Sequence, residues 1–128
     1  ITDMLRAIKS NEIFMTSPDN IVRDYMGPSD FYQLLSKILD APPANAVADC
    51  YTLEPVAKFT LLENMKNIFG LKYQISEFPT SVNATGLKIN YFSENRKLEI
   101  FDYFPVKSSL QSVIDEINFF LSKIKSTK

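Results

Sequence analysis

Histidine is absent from this 128-residue chain, and cysteine occurs once, at Cys50. Without histidine there is no Ser-His-Asp triad, no Cys-His pair and no imidazole ligand for a metal. A single cysteine excludes an internal disulfide and a zinc-thiolate cluster, and it is compatible with a reducing compartment. Glycine is nearly as scarce: Gly27, Gly70 and Gly86 lie far apart, so no phosphate-cradling turn can be assembled from them. A surplus of either charge is missing too. Fourteen basic residues against fifteen acidic ones give a net charge of −1, which leaves no broad field to hold nucleic acid or an anionic membrane. No apolar run reaches the length of a transmembrane helix and no signal peptide is visible, so the expected location is cytoplasmic.

What is there suits one modest α/β or α+β domain over residues 1–128, with 45% hydrophobic and 23% charged residues. "ITDMLRAI" reads as the inside of a helix, with Ile1, Met4, Leu5 and Ile8 on one stripe. With a helix already under way at Ile1, the chain is expected to be a fragment that continues upstream. "EIFM" and "IVRDY" are short extended segments on either side of a Ser17-Pro18-Asp19-Asn20 turn. The next helix is expected to open at Ser29 or Asp30, with Asp30 as its structural cap and Gln33 in capping-box position. Phe31, Leu34, Leu35, Ile38 and Leu39 would form its buried face, and Pro42-Pro43 would end it.

"AVADCYTL" is expected to be a buried strand with Cys50 as a small hydrophobe inside it. Pro55 suits the first turn of a helix burying Phe59, Leu62, Met65 and Phe69 and stopping at Gly70. "KYQISEF" alternates as a strand does. Residues 79–90 are the least patterned part of the chain. Ser93 would cap a short helix containing Leu98 and Phe101. Ser108, with Gln111, would open a last helix striped by Leu110, Val113, Ile114, Ile117, Leu121 and Ile124 and ending in lysines. The count is four to five helices with short strands.

The order of these pieces resembles the C-terminal, substrate-binding portion of the extended short-chain dehydrogenases/reductases, the Rossmann-type nucleotide-sugar epimerases and dehydratases. "VRDYMGPSDFYQLLSKIL" is similar to that family's Arg-Asp-Tyr segment, which precedes a helix opened by an aspartate, as Arg23, Asp24, Tyr25 and Asp30 do here. "AVADCYTL", "PVAKFTLLENMKNIFG" and "KYQISEF" resemble the strand, helix and strand that follow. "YFSENRKLEIFDYFP" and "SSLQSVIDEINFFL" resemble its late Asp-x-Ser-Lys element and closing helix. The likeness runs from about Ile1 to Lys125.

The resemblance implies a parent enzyme that oxidises a nucleotide-activated sugar by hydride transfer to NAD and later reduces it. Its glycine-rich cofactor turn and its catalytic Tyr-x-x-x-Lys pair lie upstream of the matching region. This part would then carry no catalytic residue, no metal and no cofactor of its own, would hold the nucleotide-sugar, and would need the N-terminal half to act. The parent would be a homodimer. Arg23 would contact the substrate diphosphate, since a guanidinium offers a fork of donors matched to phosphate oxygens. The bland reading of Arg23 is a surface arginine paired with Asp24 or Asp30. Lys88 and Asn83 fall where relatives place a second basic residue and polar contacts on the diphosphate. Asp24 would buttress the turn through backbone hydrogen bonds, and Tyr25 would pack in the core. The rival to all of this is a non-enzymatic α+β interaction module presenting an aromatic patch.

Overall fold

The computed structural model describes residues 1–77 and 88–125. In chain order the described elements are α1 (Thr2–Ser10), β1 (Ile13–Thr16), β2 (Val22–Arg23), α2 (Pro28–Asp40), β3 (Val56–Ala57), α3 (Lys58–Phe69), β4 (Lys72–Ile75), β5 (Asn90–Tyr91), a 3₁₀ turn (Lys97–Phe101) and α4 (Ser109–Lys125). This is a small α/β protein with short strands in open sheets. β1 pairs with β4, and the three two-residue strands pair in the order β3-β2-β5. Among the described residues no helix is long and apolar enough to cross a membrane.

The chain forms two compact units. The first joins Ile1–Val22 to Ala57–Tyr91. Here α1 buries Met4 and Ala7 and half-buries Leu5 and Ile8, while Ile1, expected on the same stripe, precedes the helix and is exposed. It stops at Asn11, whose φ of 55° is left-handed, a conformation asparagine tolerates better than most side chains. α3 buries Leu61, Leu62 and Met65. Gly70, at φ 72°, ends it: its N–H donates to the Lys66 carbonyl (3.0 Å) and the Leu71 N–H donates to the Met65 carbonyl (3.3 Å). Leu71 is then buried and β4 begins, running parallel to β1 with Ile13 opposite Lys72 and Thr16 opposite Ile75. Both expected strands are therefore present. Pro55 stands before β3 rather than in the first turn of α3, which starts at Lys58.

The second unit joins Arg23–Val56 to Phe92–Lys128. Its core is Leu34, Tyr51, Leu98 and Tyr103, with Met26, Ala48 and Phe101 packed on it. The two tyrosine rings meet edge to face, their centroids 5.8 Å apart. α4 is opened by Ser108, whose Oγ accepts the Gln111 N–H (3.2 Å), and it buries Val113 and Ile117.

Four expectations need correcting in this unit. "AVADCYTL" is not a strand: it has no ladder partner, Val47 and Cys50 are exposed, and only Tyr51 and Thr52 are buried. α2 starts at Pro28, with Gly27 before it in extended conformation. A Cβ on Gly27 would stand 3.2 Å from the Cβ and Oγ of Ser112, so the close approach of α4 favours glycine there. Of the apolar face expected on α2, only Leu34 is buried; Phe31, Leu35, Ile38 and Leu39 are exposed. The segment after Ser93 folds as successive side-chain turns: Ser93 Oγ accepts the Asn95 N–H and Asn95 Oδ1 accepts the Lys97 N–H, the 3₁₀ turn beginning only there.

Candidate functional site

The segment from Arg23 to Asp30 is held from one side by the start of α4. Asp24 is half-buried, and its carboxylate accepts three hydrogen bonds. Thr52 supplies two, from its N–H to Oδ2 (3.1 Å) and from its hydroxyl to Oδ1 (2.5 Å); the Ser109 hydroxyl supplies the third, to Oδ1 (2.7 Å). Ser109 Oγ in turn accepts the Tyr25 N–H (2.8 Å). The Ser109 N–H donates to the Glu54 carbonyl and the Leu53 N–H to the Lys107 carbonyl, each at 2.9 Å. A half-buried carboxylate with this many donors is a fixed point: it ties residues 24–25, 52–54 and 107–109 into one joint. Asp24 thus buttresses the backbone as expected, through hydroxyls as well as an N–H.

Asp30 is not the cap of α2. It is the third residue of that helix, where no side-chain cap bond is made, and it is fully buried. Its Oδ2 accepts the Lys107 N–H (3.3 Å), while Oδ1 has no partner among the described residues. The capping-box spacing misleads because Pro28, already suited to the first helical position, starts the helix two residues earlier. α4 has no acidic residue in its own first turn. Asp24 and Asp30 bring their carboxylates to that end of α4 from other parts of the chain, where the exposed N–H groups and the helix dipole favour negative charge. One turn further on, Lys107 donates to Asp115 (2.6 Å), which raises the lysine and, with Gln111, holds the Asp115 carboxyl below its usual range.

Arg23, the last residue of β2, has an exposed side chain on a backbone whose next residue is this anchored Asp24. Lys88 is exposed as well and belongs to the first unit, whereas Arg23 belongs to the second. Asn83 lies outside the described residues. Arg96 sits over the Tyr51 ring, 4.4 Å from its centroid. Two concavities lie elsewhere, each within one unit. One of about 660 Å³ in the first unit runs along β4 between Ile13 and Lys66. Another of about 380 Å³ in the second unit is lined by Leu34, Ile38, Pro42, Cys50 and Phe101. Neither is lined by Arg23 or Lys88. The first carries Lys66 and Lys72 on its lining, and the second is lined by no charged residue.

The chain does contain one Tyr-x-x-x-Lys spacing, Tyr103 to Lys107, against the expectation that such a pair lies only upstream. Its geometry is not that of a reacting pair. The Tyr103 ring is fully buried, its hydroxyl donates to the Tyr51 carbonyl (3.2 Å), and Lys107 is engaged by Asp115. Burial first, and then the Asp30 carboxylate, push the Tyr103 phenol far up, the wrong direction for a proton-transfer group at neutral pH.

Thr52 and Ser109 are the residues that sequence reasoning did not single out. The one signal for Ser109 is its place at a helix start beside Ser108; Thr52 has none, since Asp24 and Ser109, the partners that bring it into the joint, are 28 and 57 residues away. Compared with protein-family models, with curated proteins and with solved structures, the chain matches none.

Proposed function

We propose that this chain is the substrate-side half of an NAD-dependent nucleotide-sugar epimerase or dehydratase, a cytoplasmic enzyme, with Arg23 directed at the diphosphate of its substrate. The observation that supports the reading is the division of labour in the Arg-Asp-Tyr segment. Asp24 and Asp30 are both taken up by the start of α4, and Arg23 is presented to solvent from the backbone they fix. A guanidinium on a rigid strand end can meet phosphate oxygens in a set geometry with little loss of freedom on binding. Gly27 is packed against Ser112 and Gly70 terminates α3, so among the described residues no glycine turn is shaped to cradle a dinucleotide. The reading therefore gives NAD to the other half of the parent.

A nucleoside diphosphate titrated into the chain should shift the amide resonances around Arg23 and leave those of α1 alone. In the full-length parent, Arg23→Ala should raise KM about ten- to a hundredfold, the equivalent of ~1.5–3 kcal/mol for a hydrogen bond to a charged group. Cofactor binding should not change. An unchanged KM would remove Arg23 from the site.

The second reading, an interaction module without catalysis, is favoured by one specific feature, the uncovered apolar face of α2. Under that reading the nucleotide titration perturbs nothing.

A further inference from the structure

α2 is more apolar than its own unit requires. With 3.6 residues per turn, Pro28, Phe31, Tyr32, Leu35, Ile38 and Leu39 fill one continuous arc of about 120°. Asp30 and Leu34, which point into the unit, lie to one side of that arc, and Ser29, Gln33, Ser36 and Asp40 lie to the other. The arc is uncovered: Phe31 is 48% exposed, Tyr32 74%, Leu35 43%, Ile38 39% and Leu39 83%. It contains no charge. The remaining basic residue of the helix, Lys37, is turned away from it toward Asp102, 2.5 Å off.

We propose that this arc is the seat of a second copy of the chain, the two α2 helices packing antiparallel about a two-fold axis at Leu35. The inference is independent of the enzyme reading. The argument is the self-complementarity of the positions. An axis at Leu35, near the middle of the 13-residue helix, sets Leu35 against the partner's Leu35. It sets Phe31 against the partner's Ile38 and Tyr32 against the partner's Leu39. Each large side chain thus meets a branched aliphatic one, and no like charges are opposed, as an isologous contact demands. A charge-free strip gives a charged partner nothing to select. The area agrees. With ~200 Å² for one large side chain, the exposed fractions leave about 550 Å² of apolar surface per copy. Two copies bring together about 1,100 Å², at the lower end of what a specific interface needs, so the association is reversible rather than obligate.

Sedimentation equilibrium on the full chain tests this, from about 1 μM to about 1 mM, the span in which an interface of this size associates. The mass should rise with concentration from 14.6 kDa toward twice that value and no further. Leu35→Asp and, separately, Leu39→Asp should each abolish the rise, while Val47→Asp, an equally exposed residue of the same unit, should leave it unchanged. Circular dichroism reports whether each variant is folded, and Leu39, the most exposed of the arc, is the one whose replacement the fold notices least. In an oxidised Leu35→Cys variant the two copies should cross-link through position 35. A mass fixed at 14.6 kDa up to 1 mM would overturn the proposal and leave the arc to a different polypeptide. Assembly beyond a dimer, or dimerisation that survives Leu39→Asp, would overturn it as well.

Discussion

Replacing Asp24 by alanine and by asparagine separates two accounts of the joint at the start of α4. Alanine leaves three donors in a half-buried site with nothing to receive them: the Thr52 N–H, the Thr52 hydroxyl and the Ser109 hydroxyl. The hydroxyls have other outlets. Thr52 Oγ1 lies 3.0 Å from the Glu54 carbonyl and 3.2 Å from Ser109 Oγ, so both can rotate away. The Thr52 N–H cannot. One stranded N–H costs about 1–3 kcal/mol, and each of two hydrogen bonds to a charged group forfeits about 1 kcal/mol even after rearrangement. Asp24→Ala should therefore destabilise by about 3–5 kcal/mol. Asparagine keeps an oxygen for the Thr52 N–H and turns its NH₂ toward two hydroxyl oxygens that can accept once they rotate, so Asp24→Asn should cost only about 1 kcal/mol. Urea unfolding followed by circular dichroism gives both values, and amide exchange at Thr52 and Tyr25 shows whether the loss is local to the joint. Equal losses for the two variants would mean that the charge, not the pattern of donors, holds the segment. A loss below about 1 kcal/mol for alanine would mean that the joint does not exist in solution.

Tyr51 is packed as an aromatic ring whose hydroxyl oxygen is buried without a partner among the described residues. Tyr51→Phe should consequently be neutral or stabilising by up to about 1 kcal/mol in the same unfolding assay, whereas a clear loss would reveal a partner for that hydroxyl. Tyr103 makes stability depend on pH. Its phenol is raised above the ordinary value of 10.0, first by burial. Its contribution is thus complete below pH 10 and declines as the pH climbs toward the folded-state value. Wild type should lose more stability than Tyr103→Phe between neutral pH and pH 11, and parallel curves would refute the assignment.

Local signals in the sequence carry as far as local physics does. The end of α3 at Gly70 and the opening of α4 at Ser108 each depend on residues within one or two turns, and each is found where the spacing places it. β4 forms where the alternation places a strand, but of Tyr73 and Ile75 only Tyr73 is partly covered. α2 shows the limit. Its periodicity identifies which residues share a face but not whether anything covers that face, and only Leu34 of the five is covered. "AVADCYTL" fails for a related reason: an apolar run becomes a strand only beside a partner strand, and this one has none. The joint around Asp24 was the least legible, since it links positions 28 and 85 residues apart through hydroxyl groups that have no pattern of their own.

The same joint explains why two aspartates six residues apart serve a helix that starts nearly eighty residues later. α4 begins with Ser109 and Ser112, preceded by Ser108, and no acid in its first turn, so the partial positive charge of its N-terminal N–H groups is left for carboxylates elsewhere in the chain. Asp24 reaches it through the Ser109 hydroxyl and Asp30 through the Lys107 N–H just upstream. Two carboxylates then converge on one helix end, and the chain between them, with Gly27 pressed on Ser112, is held at both of its ends. A segment held in that way has little freedom left in its backbone, and the strand residue just before it inherits that rigidity. Arg23 is that residue. On the reading proposed above, the diphosphate would meet a guanidinium with a fixed origin, which keeps the freedom lost on binding small.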